Sequence, residues 1–328
     1  MNTVDHFEQA FLEKTIINQP KMNKAELISD LKKKLVIFEN PYKSVELVET
    51  TQIDDFIREK VLLHSSCDLL IPMYILTPIE KESLYPAVLA MHGHGYGHKE
   101  AVGLTKEGKE EKEPYGIHQR FAVQLVKQGF KVFVPEILGF GERILTRDKE
   151  AGNINSCNAL AKSLLMGGRT LAGMRVEEAL EIYHYIKKQE DVDGQRTGVI
   201  GFSGGALISN YTSILEPSIK ATVLTGFTNT FSKSILAMHH CIDNYIPGLL
   251  KVAELPQLIS LIAPRNLFVE AGTHDRIFPK DGVQEAIKFI SKEYQSQNKE
   301  THFQYHLFNG AHEINGEKAF PWLKQVLG

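Results

Sequence analysis

One serine stands in a sequence context that could make it a nucleophile. Residues 197–206 read Thr-Gly-Val-Ile-Gly-Phe-Ser-Gly-Gly-Ala, which places Ser203 at the centre of a G-x-S-x-G motif. The apolar residues before the motif predict a buried strand, and the residues after it predict the start of a helix. A strand, a tight turn and a helix in this order present the serine hydroxyl outward and turn the next amide, that of Gly204, toward a developing oxyanion. The pattern favours nucleophilic catalysis by Ser203 over a glycine-rich turn that happens to contain a serine.

A serine hydroxyl needs a nearby base, and that base needs an acid to orient it. Hydrolases with this motif supply them in the chain order serine, acid, histidine. His312 follows the last predicted strand in a turn with Gly310, and Asp275 lies three residues past a strand that ends at Gly272. The carboxyl ends of parallel strands form the ligand crevice, so we predict His312 as base and Asp275 as acid. Glu270 competes for the acid role, but it lies inside the strand and is expected to point away from the histidine.

A second glycine-rich loop, residues 92–98, reads His-Gly-His-Gly-Tyr-Gly-His and follows another predicted strand. Glycines let the backbone turn an amide toward a substrate, so the amide of His94 is predicted to complete the oxyanion hole with Gly204, and Gly95 is the alternative. The predicted substrate contacts are Tyr96, Phe202, His240 and Tyr245. The histidines of this loop and the pair at 239–240 lack the ligand spacing of common zinc sites, so neither a metal nor a cofactor is predicted.

These residues need a scaffold that brings strand ends together. From residue 86 onward short apolar strands alternate with amphipathic helices, after a β-rich segment at 46–78. This alternation predicts an α/β fold: a mostly parallel sheet with helices on both faces and antiparallel strands at its start. Leucines and phenylalanines at helical spacing predict an N-terminal helical extension, residues 1–45, before a catalytic domain at 46–328. The connections 137–168 and 228–262 exceed simple crossovers and are predicted to carry local structure over the active-site face.

Composition excludes several classes of partner. The chain has 328 residues, 43% of them apolar, and a net charge of −3, which gives no indication of binding to nucleic acid or an anionic membrane. Three widely spaced cysteines favour reduced thiols. The first residues carry no basic and apolar signal, and no apolar run reaches the roughly 18 residues of a membrane span, so a cytoplasmic location is expected. A homo-oligomer is left open, with the N-terminal helices as the surface for a neighbouring copy.

The motifs together resemble those of the α/β-hydrolase superfamily, and most of all its bacterial branch of dienelactone-hydrolase-like and acetyl-xylan-esterase-like proteins. The resemblance covers about residues 60–326. Dienelactone hydrolases carry cysteine where this chain has Ser203, and Glu136 stands where the family often has aspartate. The matching segments are His92-Gly-His-Gly95, Gly139-Phe-Gly-Glu-Arg143, Gly201-Phe-Ser-Gly-Gly205, Asn244-Tyr-Ile-Pro-Gly248, Ala263-Pro-Arg265, Gly272-Thr-His-Asp275 and Gly310-Ala-His312.

The resemblance implies a triad of Ser203, Asp275 and His312 and a serine carboxylic-ester hydrolase acting on a small-molecule ester. Bulky apolar residues in 228–262 suggest a lid packed tightly over the serine, which predicts a preference for acetyl and propionyl groups. Arg143 is predicted to tie the long connection to the crevice through a salt bridge, with substrate contact as the alternative. Two other functions remain open: a serine peptidase of the prolyl-oligopeptidase type, and a non-catalytic binding protein on a hydrolase fold.

Overall fold

The computed structural model describes residues 3–17, 22–38, 40–80 and 82–328 of the chain. The strands found there are β1 Ser44–Ile53, β2 Phe56–His64, β3 Leu70–Pro78, β4 Tyr85–Met91, β5 Lys131–Pro135, β6 Val192–Phe202, β7 Ala221–Thr225, β8 Asn266–Gly272 and β9 Phe303–Phe308. The α-helices are α1 Thr3–Ile17, α2 Lys24–Leu35, α3 His98–Ala101, α4 Phe121–Val126, α5 Thr146–Glu150, α6 Cys157–Met166, α7 Leu171–Ile186, α8 Gly204–Leu215, α9 Leu255–Ser260, α10 Lys280–Ser296 and α11 Ala319–Leu327. No helix within the described ranges is both long and apolar enough to cross a membrane.

All of these strands lie in one sheet, in the order β1-β2-β3-β5-β4-β6-β7-β8-β9. The first three strands pair antiparallel and β3 also runs antiparallel to β5, whereas every neighbouring pair from β5 across to β9 is parallel. The predicted mostly parallel sheet with antiparallel strands at its start is confirmed. Because β4 has β5 on one side and β6 on the other, the winding reverses there, and such a reversal opens a crevice at the carboxyl ends of the strands.

Helices cover both faces of the sheet because neighbouring residues of a strand point to opposite sides. Val199 of β6 packs into the core beneath α7 and α8, and the next residue, Ile200, packs into the core beneath α4 and α11. Every residue of β4 and β5 is buried. The central strands are therefore fixed on two sides, and the loops at their carboxyl ends start from a rigid base.

Helix α7 is buried over most of its length although it carries several charged residues. Glu178 accepts two hydrogen bonds from the guanidinium of Arg143, at 2.7 and 2.6 Å. Glu177 accepts a hydrogen bond from the amide of Phe38, in the segment between α2 and β1. Of the two roles predicted for Arg143, the structure therefore shows the salt bridge, which fastens the start of the 137–168 connection to α7.

The N-terminal helices pack differently from each other. Helix α2 begins with a capping box between Asn23 and Glu26, and its leucines Leu27, Leu31 and Leu35 are buried in the same core as α7 and α8. Helix α1 leaves Phe7 and Phe11 exposed by 70% and 54%. Since β1 already begins at Ser44, the predicted boundary at residue 45 falls inside a strand. The division into an extension and a catalytic domain stays a prediction.

Both long connections carry local structure, as predicted. Residues 137–168 contain a 3₁₀ turn at Gly141–Arg143 followed by α5 and α6, and we call this segment the first insertion. Residues 228–262 contain 3₁₀ turns at Ile242–Asn244 and Leu249–Lys251 followed by α9, and we call this segment the second insertion. The first insertion follows β5 and the second follows β7, so both start at the carboxyl edge of the sheet.

Candidate active site

Ser203 occupies the turn between β6 and α8 in a strained backbone conformation. Its φ is 54° and its ψ is −120°, a region that residues with a side chain rarely adopt. The glycines around it have no room for a side chain. A Cβ on Gly201 would lie 2.3 Å from the carbonyl oxygen of Gly205, and a Cβ on Gly205 would lie 2.2 Å from the carbonyl oxygen of Met91. The motif therefore allows β4, β6 and α8 to approach closely enough to hold this turn.

Ser203, His312 and Asp275 form a hydrogen-bonded series that we call the Ser203 triad. The Nε2 of His312 lies 2.9 Å from the Oγ of Ser203, and its Nδ1 lies 2.7 Å from Oδ2 of Asp275. A proton on Nδ1 donates to the carboxylate, which leaves Nε2 free to accept the serine proton. The three residues predicted from the sequence are thus brought together in a geometry suited to proton transfer.

The partners of Ser203 are themselves held in place. Oδ1 of Asp275 accepts hydrogen bonds from the amides of Ile277 and Phe278, at 2.7 and 3.0 Å. The ring of His312 lies between the rings of Phe202 and Phe278, with centroids 4.9 and 5.8 Å away. The aspartate and the imidazole therefore keep their orientation without a substrate.

Glu270 takes no part in the triad, in agreement with its predicted orientation. Its carboxylate accepts hydrogen bonds from the amides of Asn315 and Gly316, at 3.2 and 2.9 Å, and from the hydroxyl of Thr225. Burial raises its pKa more than these donors lower it. Glu270 fixes the segment after His312 to the sheet.

The loop after β4 runs directly over the serine turn. The imidazole of His94 lies against Gly204, so that a Cβ there would be 3.0 Å from the ring. The amides of Gly93 and Tyr96 are already bound, by Nε2 of His118 and by the carboxylate of Glu100. Within the described residues the amides of His94 and Gly95 donate no hydrogen bond, so both remain available to an oxyanion. The amide of Gly204 is the first of α8 and has no acceptor within that helix.

Three of the four predicted substrate contacts are engaged elsewhere. Phe202 is fully buried beneath His312, so its ring supports the imidazole and has no surface for a substrate. The hydroxyl of Tyr96 donates to the carbonyl of Leu104 at 2.9 Å, within its own loop. His240 does lie beside the triad, because its ring contacts Phe278 at 5.3 Å.

Tyr245 faces a separate apolar cavity of about 250 Å³ between the two insertions. Its hydroxyl donates to the carbonyl of Ile235 at 3.1 Å. Leu165 of α6 lines the opposite wall of this cavity, and none of the Ser203 triad lines it. In this structure Tyr245 lies at a cavity apart from the triad and bonds within its own insertion, so its role as a substrate contact stays a prediction.

A buried ion pair on the other side of Ser203 escaped the sequence analysis. Arg175 of α7 donates a hydrogen bond to Oδ2 of Asp243 and, at 3.2 Å, to Sγ of Cys157. It also donates to the carbonyl of Leu138 at 3.0 and 2.7 Å. We call these four residues the Arg175 network. The side chains of Arg175 and Asp243 are each 2% exposed, so each charge depends on the other for stabilisation.

His94 links this network to the serine turn. Its Nε2 lies 3.7 Å from Oδ2 of Asp243, while the opposite edge of the ring touches Gly204. Burial opposes protonation of His94, but Cys157 and Asp243 outweigh it and raise the pKa of the imidazole. The thiol of Cys241 donates to Cys157 and, with His94, lowers the pKa of Cys157 to about 5 against the effect of burial. The site therefore combines the Ser203 triad with a buried network that contains a charged pair.

Glu136, the family departure noted in the sequence, ties two loops of the crevice together. Its carboxylate accepts hydrogen bonds from the amide of His98 at 3.0 Å and from the amide of Glu142 at 3.1 Å. Gly97 and Gly141 leave room for it, since a Cβ on either would lie 2.5 Å or less from its oxygens. Burial alone would raise the pKa of Glu136, but the surrounding imidazoles and the amide of Glu142 lower it to about 2. The charged carboxylate is therefore a fixed anchor for these loops.

A serine on a strained strand–turn–helix, bound to an imidazole at the carboxyl edge of a mostly parallel sheet, defines an α/β-hydrolase. The comparison with family models agrees: the chain belongs to the Abhydrolase family, whose model matches residues 6–320. The resemblance predicted from the sequence motifs is confirmed at this level. The match also includes most of α1 and all of α2, which the predicted resemblance left outside.

Individual relatives share less than a third of their residues with this chain. The candidate hydrolase YtaP of Bacillus subtilis (strain 168) is 29% identical over 259 residues, which cover 77% of this chain and 82% of that protein. A candidate acetyl xylan esterase of Bacteroides fragilis NCTC 9343 has a TM-score of 0.74 at 17% identity and covers 93% of this chain and 82% of its own. A glucuronoyl esterase of Solibacter usitatus has a TM-score of 0.66 at 15% identity, with coverage of 94% and 93%. These structures share the fold with this chain.

Proposed function

We propose that this hydrolase is a serine carboxylic-ester hydrolase that works through an acyl-enzyme on Ser203. The observation that carries the proposal is the series of 2.9 and 2.7 Å contacts from Ser203 through His312 to Asp275, at a strained turn. A serine hydroxyl is weakly nucleophilic at neutral pH unless a base removes its proton as it attacks. His312 is positioned to do this, and Asp275 stabilises the imidazolium that forms.

In the acylation step, Ser203 Oγ forms a bond to the ester carbonyl carbon while its proton passes to Nε2 of His312. The carbonyl oxygen becomes an oxyanion, for which the amides of Gly204 and His94 are the proposed donors. The tetrahedral intermediate then breaks its bond to the alcohol oxygen. His312 returns the proton to this oxygen, and the alcohol leaves while the acyl group stays on Ser203.

In the deacylation step, a water molecule replaces the alcohol. His312 takes one of its protons as the water oxygen attacks the acyl carbon, and the same two amides stabilise the second oxyanion. The bond between Ser203 Oγ and the acyl carbon breaks, and the proton returns to the serine. The products are a carboxylic acid and the free enzyme, so neither an oxidant nor a cofactor enters this sequence.

Two observations favour a short acyl group. The names of the structural neighbours include acetyl xylan esterase, an enzyme class that removes acetyl groups. In this chain the bulky apolar residues of the second insertion are mostly used in the core: Phe231, Ile235, Ile246 and Leu249 are each at most 7% exposed. These four side chains line the apolar cavity between the two insertions, and none of the Ser203 triad lines that cavity, so they offer no groove for a long acyl chain beside the serine. The imidazole of His94 lies against Gly204 and that of His240 against Phe278, and such polar rings suit small polar esters.

Covalent labelling tests the proposed nucleophile. A fluorophosphonate reacts with a serine that an imidazole activates, so intact-mass measurement should show one adduct and peptide mapping should place it on Ser203. Ser203→Ala should stay unlabelled. The matched control is Ser209→Ala, on the same helix α8 with its hydroxyl buried against Gly201, which should label like the parent.

The outcomes separate the open alternatives. Labelling that survives Ser203→Ala would reject the serine assignment, and no labelling of the parent would favour the non-catalytic binding protein. Hydrolysis of an aminoacyl-amide at a rate comparable with that of an acetyl ester would favour a peptidase. We expect esters to be cleaved far faster than the amide.

A further inference from the structure

Four side chains with metal-binding atoms meet beside the serine turn, and they come from three separate segments. They are His94 from the loop after β4, Cys157 from the start of α6, and Cys241 and Asp243 from the second insertion. One ligand atom from each of the four lies within 4.8 Å of those of the other three. A tetrahedral zinc ion with ordinary bond lengths separates its ligand atoms by roughly 3.3–3.8 Å, so side-chain movements of about 1 Å would close this set around an ion.

The imidazole of His94 has an atom that this protein alone does not satisfy. Its Nε2 is buried and makes no hydrogen bond in the described structure. It points toward Oδ2 of Asp243 at 3.7 Å, which is too long for a hydrogen bond and suitable for two ligands of one metal. Buried polar atoms are seldom left without a partner, so an orphan aimed into a group of donors indicates a missing ligand.

The charges around the group also suit a divalent ion. Two thiolates and one carboxylate carry three negative charges, a zinc ion brings two positive ones, and Arg175 supplies the third. The guanidinium approaches from outside the group, where it donates to Cys157 and Asp243. Asn244 donates to the other oxygen of Asp243 at 2.8 Å. Such hydrogen bonds from the surroundings orient ligands and tune a metal site.

We propose a structural zinc site at the base of the crevice, with four ligands: His94, Cys157, Cys241 and Asp243. Two thiolates, an imidazole and a carboxylate in a tetrahedral arrangement favour zinc over magnesium or calcium, which take oxygen ligands. Four protein ligands close the coordination sphere, so the ion has a structural role. It holds the loop after β4 and both insertions in register, and the two sulfurs bind it as thiolates.

The first experiment measures bound zinc. The chain carries a third cysteine, Cys67, which is exposed and does not belong to the group, so all variants are made in a Cys67→Ser background. The protein is expressed in zinc-supplemented medium and purified without a histidine tag, and metal content is measured by inductively coupled plasma mass spectrometry. We expect one zinc ion per chain. Cys157→Ser and Cys241→Ser should each reduce bound zinc at least about tenfold.

A matched control uses the second group of potential ligands in the described residues, His98, Glu136 and Glu142. Its carboxylates are already occupied, because Glu142 is bound by Lys60 and Glu136 by backbone amides. Glu142→Gln should therefore keep the full zinc content.

Cobalt titration of the chelator-treated parent protein gives a readout that needs no variant to fold. Tetrahedral thiolate coordination should appear as a thiolate-to-cobalt charge-transfer band and intense visible d–d bands.

Several results would overturn the proposal. They are a parent protein without zinc after incubation with the ion, zinc that persists in both cysteine variants, or octahedral cobalt spectra without a thiolate band. Thiol titration and peptide mapping provide a further check. A disulfide between Cys157 and Cys241 that forms in the presence of zinc would show that the two sulfurs bind each other in preference to a metal. Zinc content is measured without substrate, so these outcomes do not depend on the proposed esterase activity.

Discussion

Two groups of polar side chains flank the serine turn, and they are assembled in different ways. Each member of the Ser203 triad lies within four residues of the end of a parallel strand, β6, β8 or β9. The Arg175 network instead combines the middle of α7 with residues of both insertions. One group takes its geometry from the register of the sheet, and the other takes it from contacts that form between separate loops.

This difference separates their expected roles. The sheet holds the triad residues in place whether or not they touch each other, so changes among them should affect chemistry more than folding. The Arg175 network holds the insertions together through buried charge, so changes in it should affect folding first. The following predictions test that separation, from the largest expected effect to the smallest.

The largest effect is expected from Asp275→Asn. An asparagine keeps the shape of the side chain but favours the wrong tautomer of His312, so kcat should fall by roughly 10³–10⁴. Steady-state kinetics with an acetyl ester and circular dichroism of the variant provide the measurement. Glu270→Gln, in the strand β8 that precedes Asp275, is the control and should change kcat far less. A larger loss for the control would move the acid to the strand and remove the contrast.

Arg175→Met should act on stability. In the zinc-free protein it leaves Asp243 buried without the guanidinium and the carbonyl of Leu138 without its donor, and breaking a buried pair in this way costs about 3–5 kcal/mol of unfolding free energy. Urea denaturation followed by circular dichroism measures the change. Arg196→Met removes a pair with Asp193 in which the side chains are 31% and 28% exposed, and should cost at most about 1 kcal/mol. Equal losses would mean that burial does not distinguish the two sites.

Glu136→Gln sharpens the comparison through its pH dependence. The folded-state pKa of Glu136 is about 2 against an ordinary value of 4.5, so its charged form stabilises the fold above pH 4.5 and this contribution disappears as the pH falls toward 2. The variant should lose about 1–3 kcal/mol near neutral pH and show a shallower loss of stability below pH 4.5.

Denaturation midpoints at a series of pH values give this measurement. Glu13→Gln, on the exposed surface of α1, is the control and should leave the slope unchanged. If the unfolding free energy of Glu136→Gln falls with pH as steeply as that of the parent, the charged carboxylate of Glu136 does not anchor the two loops. Other contacts then hold them.

The smallest effect concerns the acyl group. A methylene that fits gains only about 0.8 kcal/mol, whereas one that clashes costs about 1–3 kcal/mol, so kcat/KM should fall at least about tenfold from acetyl to octanoyl esters. A p-nitrophenyl ester series, kept below micelle-forming concentrations, measures this. Flat or rising values would show an open acyl groove and would contradict a closed second insertion.

The same division explains what the sequence could predict. A run of β-branched residues followed by a glycine turn marks the carboxyl end of a strand in the sequence. Ser203, Asp275 and His312 could therefore be placed at the carboxyl edge of the sheet before any contact was known. The mostly parallel sheet followed from the same alternation. By contrast, nothing near Arg175 distinguishes it from a surface arginine on an amphipathic helix. Its partners Cys157 and Asp243 lie in the two insertions, whose paths depend on tertiary packing.

The predicted substrate contacts show where proximity along the chain misleads. Phe202 is adjacent to Ser203, but the alternation of a strand turns its side chain to the opposite side and into the core. Tyr245 lies in the correct insertion and faces a different cavity. The sequence showed Glu136 as a departure from the family. Its carboxylate holds two loops together only because Gly97 and Gly141 leave room for it, and that contact is visible only in the folded chain.

The buried charges of α7 have a consequence for how the chain folds. Arg175, Glu178 and Glu181 each bind a segment far away in sequence, and Glu181 does so through the backbone and side chain of Ser66. Closing the loop between two distant segments costs entropy, so each of these contacts adds to the cost of ordering the chain around Ser203. The pairing of β4 with β6 is also distant in sequence, so the sheet and the crevice both depend on non-local contacts, which slow folding.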